Sequence, residues 1–207
     1  MDKIQRRQLE SLRYVTPEEL GREVAPFVEV IIRNPEAVKH FSRKKGFLER
    51  YQAAQLAFMF KHGATSTADV TVCVLEKDDF DCVLKFIPES GEVVYKPVQL
   101  KQLPSHKLNA NADIQAEINK LRRYGCSPDL LVAFWINRDV KFDLSRLDLN
   151  GLGIEQLWFL GDNPSGELTF HGGLVSDLRS GNCQVRVLRG AITENRRVSF
   201  IPKVTSD

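Results

Sequence analysis

The first third of the chain places apolar residues at helical spacing. Thr16-Pro17-Glu18-Glu19 opens the clearest case: Thr16 suits the cap, Pro17 the first helical position, and Glu19 completes a capping box. Leu20, Val24, Phe27, Val28 and Ile31 then recur on one face, Pro26 is expected to kink the helix, and Asn34-Pro35 ends it before a shorter segment to Ser42. A second helix is predicted from Lys45 to Lys61, with Phe47, Leu48, Tyr51, Ala54, Leu56, Phe58 and Met59 as its apolar surface and His62-Gly63 as its stop. Residues 1–15 are polar and read as a solvated leading helix.

Beyond these helices the pattern becomes β-like. Val70–Leu75, Phe80–Ile87 and Val93–Leu100 are β-branched or apolar runs joined by Glu76-Lys77-Asp78-Asp79 and Pro88-Glu89-Ser90-Gly91, which predicts an antiparallel meander. A third helix is expected from a cap near 111–113 to Tyr124-Gly125, burying Ile114, Ile118 and Leu121. Leu130–Ile136 is apolar almost throughout, as in a strand covered on both faces and parallel to a neighbour, which makes strand, helix, strand a candidate right-handed crossover. Further strands are predicted at Ile154–Leu160, Glu167–His171, Gln184–Leu188 and Val198–Ile201. Gly161–Gly166 is expected to turn, and the tail after Pro202 to be disordered. The expected class is α/β in the α+β sense: a mixed, mainly antiparallel sheet flanked by helices. A single domain over residues 1–207 is predicted, with a core at 45–137 and a β-rich extension at 150–201.

Composition changes this picture little. The 29 basic and 27 acidic residues leave a net charge of +2, so any basic surface must be local. The four cysteines, Cys73, Cys82, Cys126 and Cys183, form no closely spaced pair and read as buried free thiols rather than disulfides or zinc ligands. The chain opens on a polar, basic segment rather than a signal peptide, and no apolar run approaches the ~20 residues that cross a bilayer. A cytoplasmic protein without membrane contact is the expectation.

The chemistry concentrates on the meander. Asp81 opens its second strand, and Gln99-Leu100-Lys101 closes its third, where a period of two sets Gln99 and Lys101 on one face. A carboxylate and an amide oxygen are hard donors suited to magnesium, which keeps several waters and needs few protein ligands. An ammonium beside them suits a phosphodiester. Glu49 on the second helix is the polar exception that could face the sheet. The histidines share no ligand spacing, Gly151-Leu152-Gly153 has no following lysine helix, and no serine or cysteine nucleophile motif occurs.

Helix, three-strand meander, helix and strand in this order, with Asp81, Gln99 and Lys101, resembles the restriction-endonuclease-like core of the PD-(D/E)XK nuclease superfamily over roughly residues 45–137. The resemblance implies a magnesium- or manganese-dependent endonuclease. Asp81 and Gln99 would hold the cation, with Glu49 reaching it through water, and Lys101 would orient or help deprotonate the attacking water. Asp81, Gln99 and Lys101 are thus the expected catalytic set. Two departures stand out: Gln99 replaces the commoner carboxylate, removing one negative charge, and Pro97 lies inside the third strand, where it favours an edge or a bulge. The implied partner is nucleic acid, DNA ahead of RNA, contacted through Lys44, Lys45, His106, Lys107, Arg122 and Arg123, with room for a homodimer. The alternative is a non-catalytic subunit of the same fold that binds nucleic acid or protein. A third reading is a protein–protein or immunity-type module.

Overall fold

A computed structural model describes residues 3–33, 45–63, 69–75, 80–89, 91–137, 144–162, 168–188, 190–192 and 198–200. The fold is α+β with mainly antiparallel pairing, and it divides into two compact units, Met1–Leu100 and Lys101–Asp207. Outside the described residues fall the segment expected up to Ser42, the Glu76–Asp79 turn, most of the Gly161–Gly166 turn and the tail after Pro202.

In the N-terminal unit, helix α1 (Lys3–Glu10) precedes α2 (Pro17–Arg33) and α3 (Lys45–Gly63). The capping box forms as its residues require: Thr16 Oγ1 accepts the Glu19 N–H (3.2 Å), while Glu19 Oε2 accepts the Thr16 N–H (2.8 Å). The helix continues through Pro26. α2 packs on α3 through a Phe27–Phe47 ring contact at 5.0 Å, and Glu18–Lys61 (2.9 Å) and Glu23–Arg50 (3.1 Å) ion pairs bridge them. Strands β1 (Asp69–Val74), β2 (Cys82–Ile87) and β3 (Val94–Leu103) form the antiparallel meander. Alternation splits its faces. Phe86 meets Phe60 of α3 edge-on at 5.5 Å, whereas Val83 and Tyr95 pack with Leu9 of α1. The β2–β3 ladder passes Val83↔Pro97 with no shift in register, so the bulge that Pro97 suggested is absent from this pairing.

The C-terminal unit contains α4 (Ile114–Leu121), β4 (Ser127–Ile136), β5 (Ile154–Asp162), β6 (Leu168–Leu174), α5 (Val175–Arg179) and β7 (Gln184–Leu188). β4 and β5 run parallel, as the continuous apolar run of β4 predicts, and β5–β6 and β6–β7 are antiparallel. The core joins Ile118 and Leu121 of α4 to Val132, Phe134, Leu157, Phe159 and Leu178. Asp113 caps α4 by accepting the Ala116 N–H at 2.7 Å. The helix is shorter than expected: it tightens into a 3-10 turn at Arg122–Tyr124 and stops at Gly125, whose φ of 59° takes it out of the helical region. Two elements escaped the sequence pattern, α5 and β8 (Gly190–Ile192), which pairs with β9 (Val198–Phe200). The thiols are free, but only Cys73 and Cys82 are buried. Cys126 is exposed, because the chain leaves the α4 core at Gly125.

Gly153 packs against that exit. A Cβ there would lie 1.6 Å from the Gly125 carbonyl oxygen, and Ser127 N–H donates to the Gly153 carbonyl at 2.7 Å, so the two backbones are in direct contact. Gly153→Ala is expected to lower unfolding free energy by on the order of 3 kcal/mol. Gly181→Ala, where an added Cβ meets nothing, is expected to cost about 1 kcal/mol from its left-handed backbone alone. Urea denaturation of both variants checks the contrast. A second expectation concerns His171 on β6, whose pKa burial lowers from 6.5. Below that value the unfolded chain binds the proton more readily than the folded one, so stability is full above it and falls as pH drops through the folded value. Denaturation midpoints for His171→Gln should fall less than those of wild type between neutral and mildly acidic pH.

Candidate metal centre and its surroundings

Asp81 occupies the bend immediately before β2, and the three strands of the meander meet there. Its carbonyl accepts the N–H of Leu75, just past β1, and its own N–H donates to the Val98 carbonyl of β3, each at 2.8 Å. Its carboxylate turns onto β3 as well. Oδ2 accepts the Leu100 N–H at 2.6 Å and the Gln99 Nε2–H, while Oδ1 accepts no hydrogen bond among the described residues. Asp81 and Gln99, 18 positions apart in the chain, are therefore brought together across β2 and β3. Gln99 is 6 % exposed, so its amide is held where water does not compete for it.

Gln99 points its nitrogen, rather than the expected oxygen, at the carboxylate. It thereby fixes Asp81 with one oxygen anchored and the other uncommitted, the manner in which carboxylates that bind metals are oriented by surrounding donors. Glu49, half-buried on α3, acts with Asp81 on one common group. Burial first, and then the nearby charges of Asp81, Cys73 and Glu49, push the Cys82 thiol well above its ordinary range. Both carboxylates thus lie within electrostatic reach of that thiol. Among the described residues no three His, Cys, Asp or Glu side chains gather as a metal-holding group. A cation on this set would have Asp81 as its anionic protein ligand, complete its shell with water and reach Glu49 through water. That donor set fits magnesium or manganese held weakly, and fits no thiolate- or imidazole-seeking metal.

Lys101, half-buried and two positions after Gln99 on β3, sets its ammonium 5.9 Å from the centroid of the Tyr124 ring. Arg123, exposed, lies over the same ring at 5.2 Å and donates to the Tyr124 hydroxyl at 3.3 Å, a bond that raises the guanidinium pKa. Neither cation has a carboxylate partner among the described residues. Its neighbour Arg122 differs. It donates to Asp148 Oδ2 (2.7 Å), the Asn150 carbonyl (3.1 Å) and Asn119 Oδ1, which commits it to bracing the turn before β5. His106 and Lys107 are exposed in the turn after β3. Lys44 lies outside the described residues, and Lys45 is the first residue of α3.

Sequence reading overlooked two groups. Gln52 and Gln55 on α3 are buried, and Gln52 Nε2 and Gln55 Oε1 have no hydrogen-bond partner among the described residues. They sit among alanines and phenylalanines, where an apolar face was expected, and three-residue spacing on a helix was their available signal. Tyr124 was read only as the end of a helix. Its signal was adjacency to Arg122-Arg123. No family model matches the sequence, and no curated protein is similar enough to count as a match.

Because Asp81 Oδ2 satisfies two N–H groups, its removal has a structural cost apart from any chemistry. Asp81→Ala removes the acceptor that the Gln99 Nε2–H and the Leu100 N–H share and should destabilise by about 2 kcal/mol or more, whereas Asp81→Asn keeps an oxygen there and should cost about 1 kcal/mol. Urea denaturation separates the two, and equal losses would mean that the hydrogen bonds contribute nothing.

Proposed function

We propose that the chain is a divalent-metal-dependent nuclease that hydrolyses nucleic-acid phosphodiester bonds, with Asp81 and Lys101 as its catalytic pair. The observation that supports this reading is the Asp81 carboxylate, anchored through one oxygen by Gln99 and the Leu100 N–H on the strand that also bears Lys101. Asp81 offers its second oxygen, Oδ1, as the anionic ligand. Gln99 keeps that carboxylate from rotating, and Glu49 adds negative charge that acts with that of Asp81 on the Cys82 thiol. Magnesium or manganese, when bound, supplies Lewis acidity and a more acidic water. Lys101, held over Tyr124, donates an ammonium N–H to a non-bridging phosphate oxygen, where negative charge is stabilised in the transition state. A PD-(D/E)XK-like core, DNA as the first substrate to try and a cytoplasmic setting belong to the same reading. Consistent with it, no helix among the described residues is long and apolar enough to cross a membrane.

A second reading has its own observation. Gln99 presents N–H rather than a carboxylate to Asp81, so hydrogen bonds already offset much of the charge that would attract a cation. On that reading the chain is a nuclease-fold subunit that binds nucleic acid or protein and does not cut.

Cleavage of supercoiled DNA and of RNA with manganese or magnesium tests the first reading. Wild type should cut, Asp81→Asn and Lys101→Ala should each lose at least about a hundredfold in rate while staying folded, and chelation should abolish cutting. Gln99→Glu restores the missing charge and should raise manganese affinity, read as a larger rise in melting temperature on adding manganese. If neither wild type nor Gln99→Glu cuts or is stabilised by manganese, the second reading stands.

A further inference from the structure

Within the C-terminal unit, Lys101 and Arg123 meet one ring, that of Tyr124, which itself packs against the core of that unit. Several basic side chains of the chain face a carboxylate: Lys61 faces Glu18, Arg50 Glu23, Lys120 Glu117 and Arg122 Asp148. Lys101 and Arg123 instead share the ring of Tyr124, so that one side chain carries two like charges. Like charges held together with no counter-ion raise the energy of the isolated protein and lower it when an anion arrives between them. The support beneath them is rigid. Arg122 ties the 3-10 turn to Asp148 and Asn150, Gly125 turns the chain at φ 59°, and Gly153 presses against the Gly125 carbonyl. The cations are therefore positioned before any ligand binds, which reduces the ordering cost of binding.

We infer that Arg123 and Lys101, carried on Tyr124, grip one backbone phosphate of a nucleic acid, so that this turn contributes sequence-independent affinity. The choice of nucleic acid rests on the nuclease reading above; the anion site itself rests on the cluster. A phosphodiester offers two non-bridging oxygens, which match the paired N–H donors of a guanidinium with an ammonium alongside. A ring already engaged by two cations acts as their support rather than as a stacking surface for a base. Contact with phosphate alone carries no sequence information.

Fluorescence anisotropy with a labelled mixed-sequence duplex, in chelator so that nothing is cut, tests the inference on the full chain. Arg123→Ala should weaken binding about tenfold, by the same factor for duplexes of different sequence, and should reduce the slope of log affinity against log salt by about 1. Lys120→Ala removes an equal charge from α4, but one already paired with Glu117, and should change little. Tyr124→Phe keeps the ring and should bind like wild type, whereas Tyr124→Leu should resemble Arg123→Ala. Circular dichroism confirms that each variant is folded. The inference fails if Arg123→Ala binds with unchanged affinity and salt slope, or if Lys120→Ala is equally damaging. It also fails if the loss depends on duplex sequence, or if inorganic phosphate displaces the duplex at equal concentration. Absence of cleavage with Arg123→Ala still weakening the duplex removes the nuclease and keeps the phosphate grip. Cleavage intact with duplex binding indifferent to Arg123 removes the grip and keeps the nuclease.

Discussion

The N-terminal unit depends on how one carboxylate is held. Asp81 joins the end of β1 to β3 through its backbone and then turns its side chain back onto β3, so a single residue ties the three strands together where β2 begins. In a low-dielectric setting such a group is costly unless it is hydrogen-bonded, and the buried amide of Gln99 supplies one of the two donors to Oδ2. The same arrangement has a chemical consequence. An anchored carboxylate has lost the rotational freedom that would otherwise oppose metal or substrate binding, whether or not the chain exploits it.

The C-terminal unit solves a different problem, the close approach of backbones. Gly153 and Gly172 sit where a side chain would strike the neighbouring carbonyls of Gly125 and Leu157. Arg122 and Arg179 then donate to carbonyls of the turn before β5, Arg179 reaching both Leu149 and Leu152. Two arginines with the composition of nucleic-acid ligands are here internal braces. Arg123, next to Arg122 in sequence, faces no carboxylate among the described residues.

Much of the architecture was legible in the sequence because it rests on periodicity and local chemistry. The Thr16 box, the three meander strands and the parallel character of β4 all follow from patterns a few residues long. What escaped has nonlocal causes. The short α5 and β8 lack a periodic stretch long enough to register, and the buried amides on α3 depend on what packs over them. At the candidate site, spacing brought Asp81 and Gln99 within reach of one another, as strand pairing requires. Which end of the amide faces the carboxylate, and which of two adjacent arginines is engaged, are decided by partners 18 to 28 positions away: Asp148 and Asn150 for Arg122, Asp81 for Gln99.

The four thiols are not equivalent. Burial raises the pKa of Cys73, Cys82 and Cys183 and keeps them protonated and slow to react, whereas Cys126 stands exposed two positions beyond Tyr124. A maleimide dye or spin label offered briefly at neutral pH should therefore mark the chain at this one place, with no cysteine needing to be engineered. Attached to a braced turn rather than a loose loop, the reporter would move little by itself. Changes in its emission or line shape would register events at the adjoining surface.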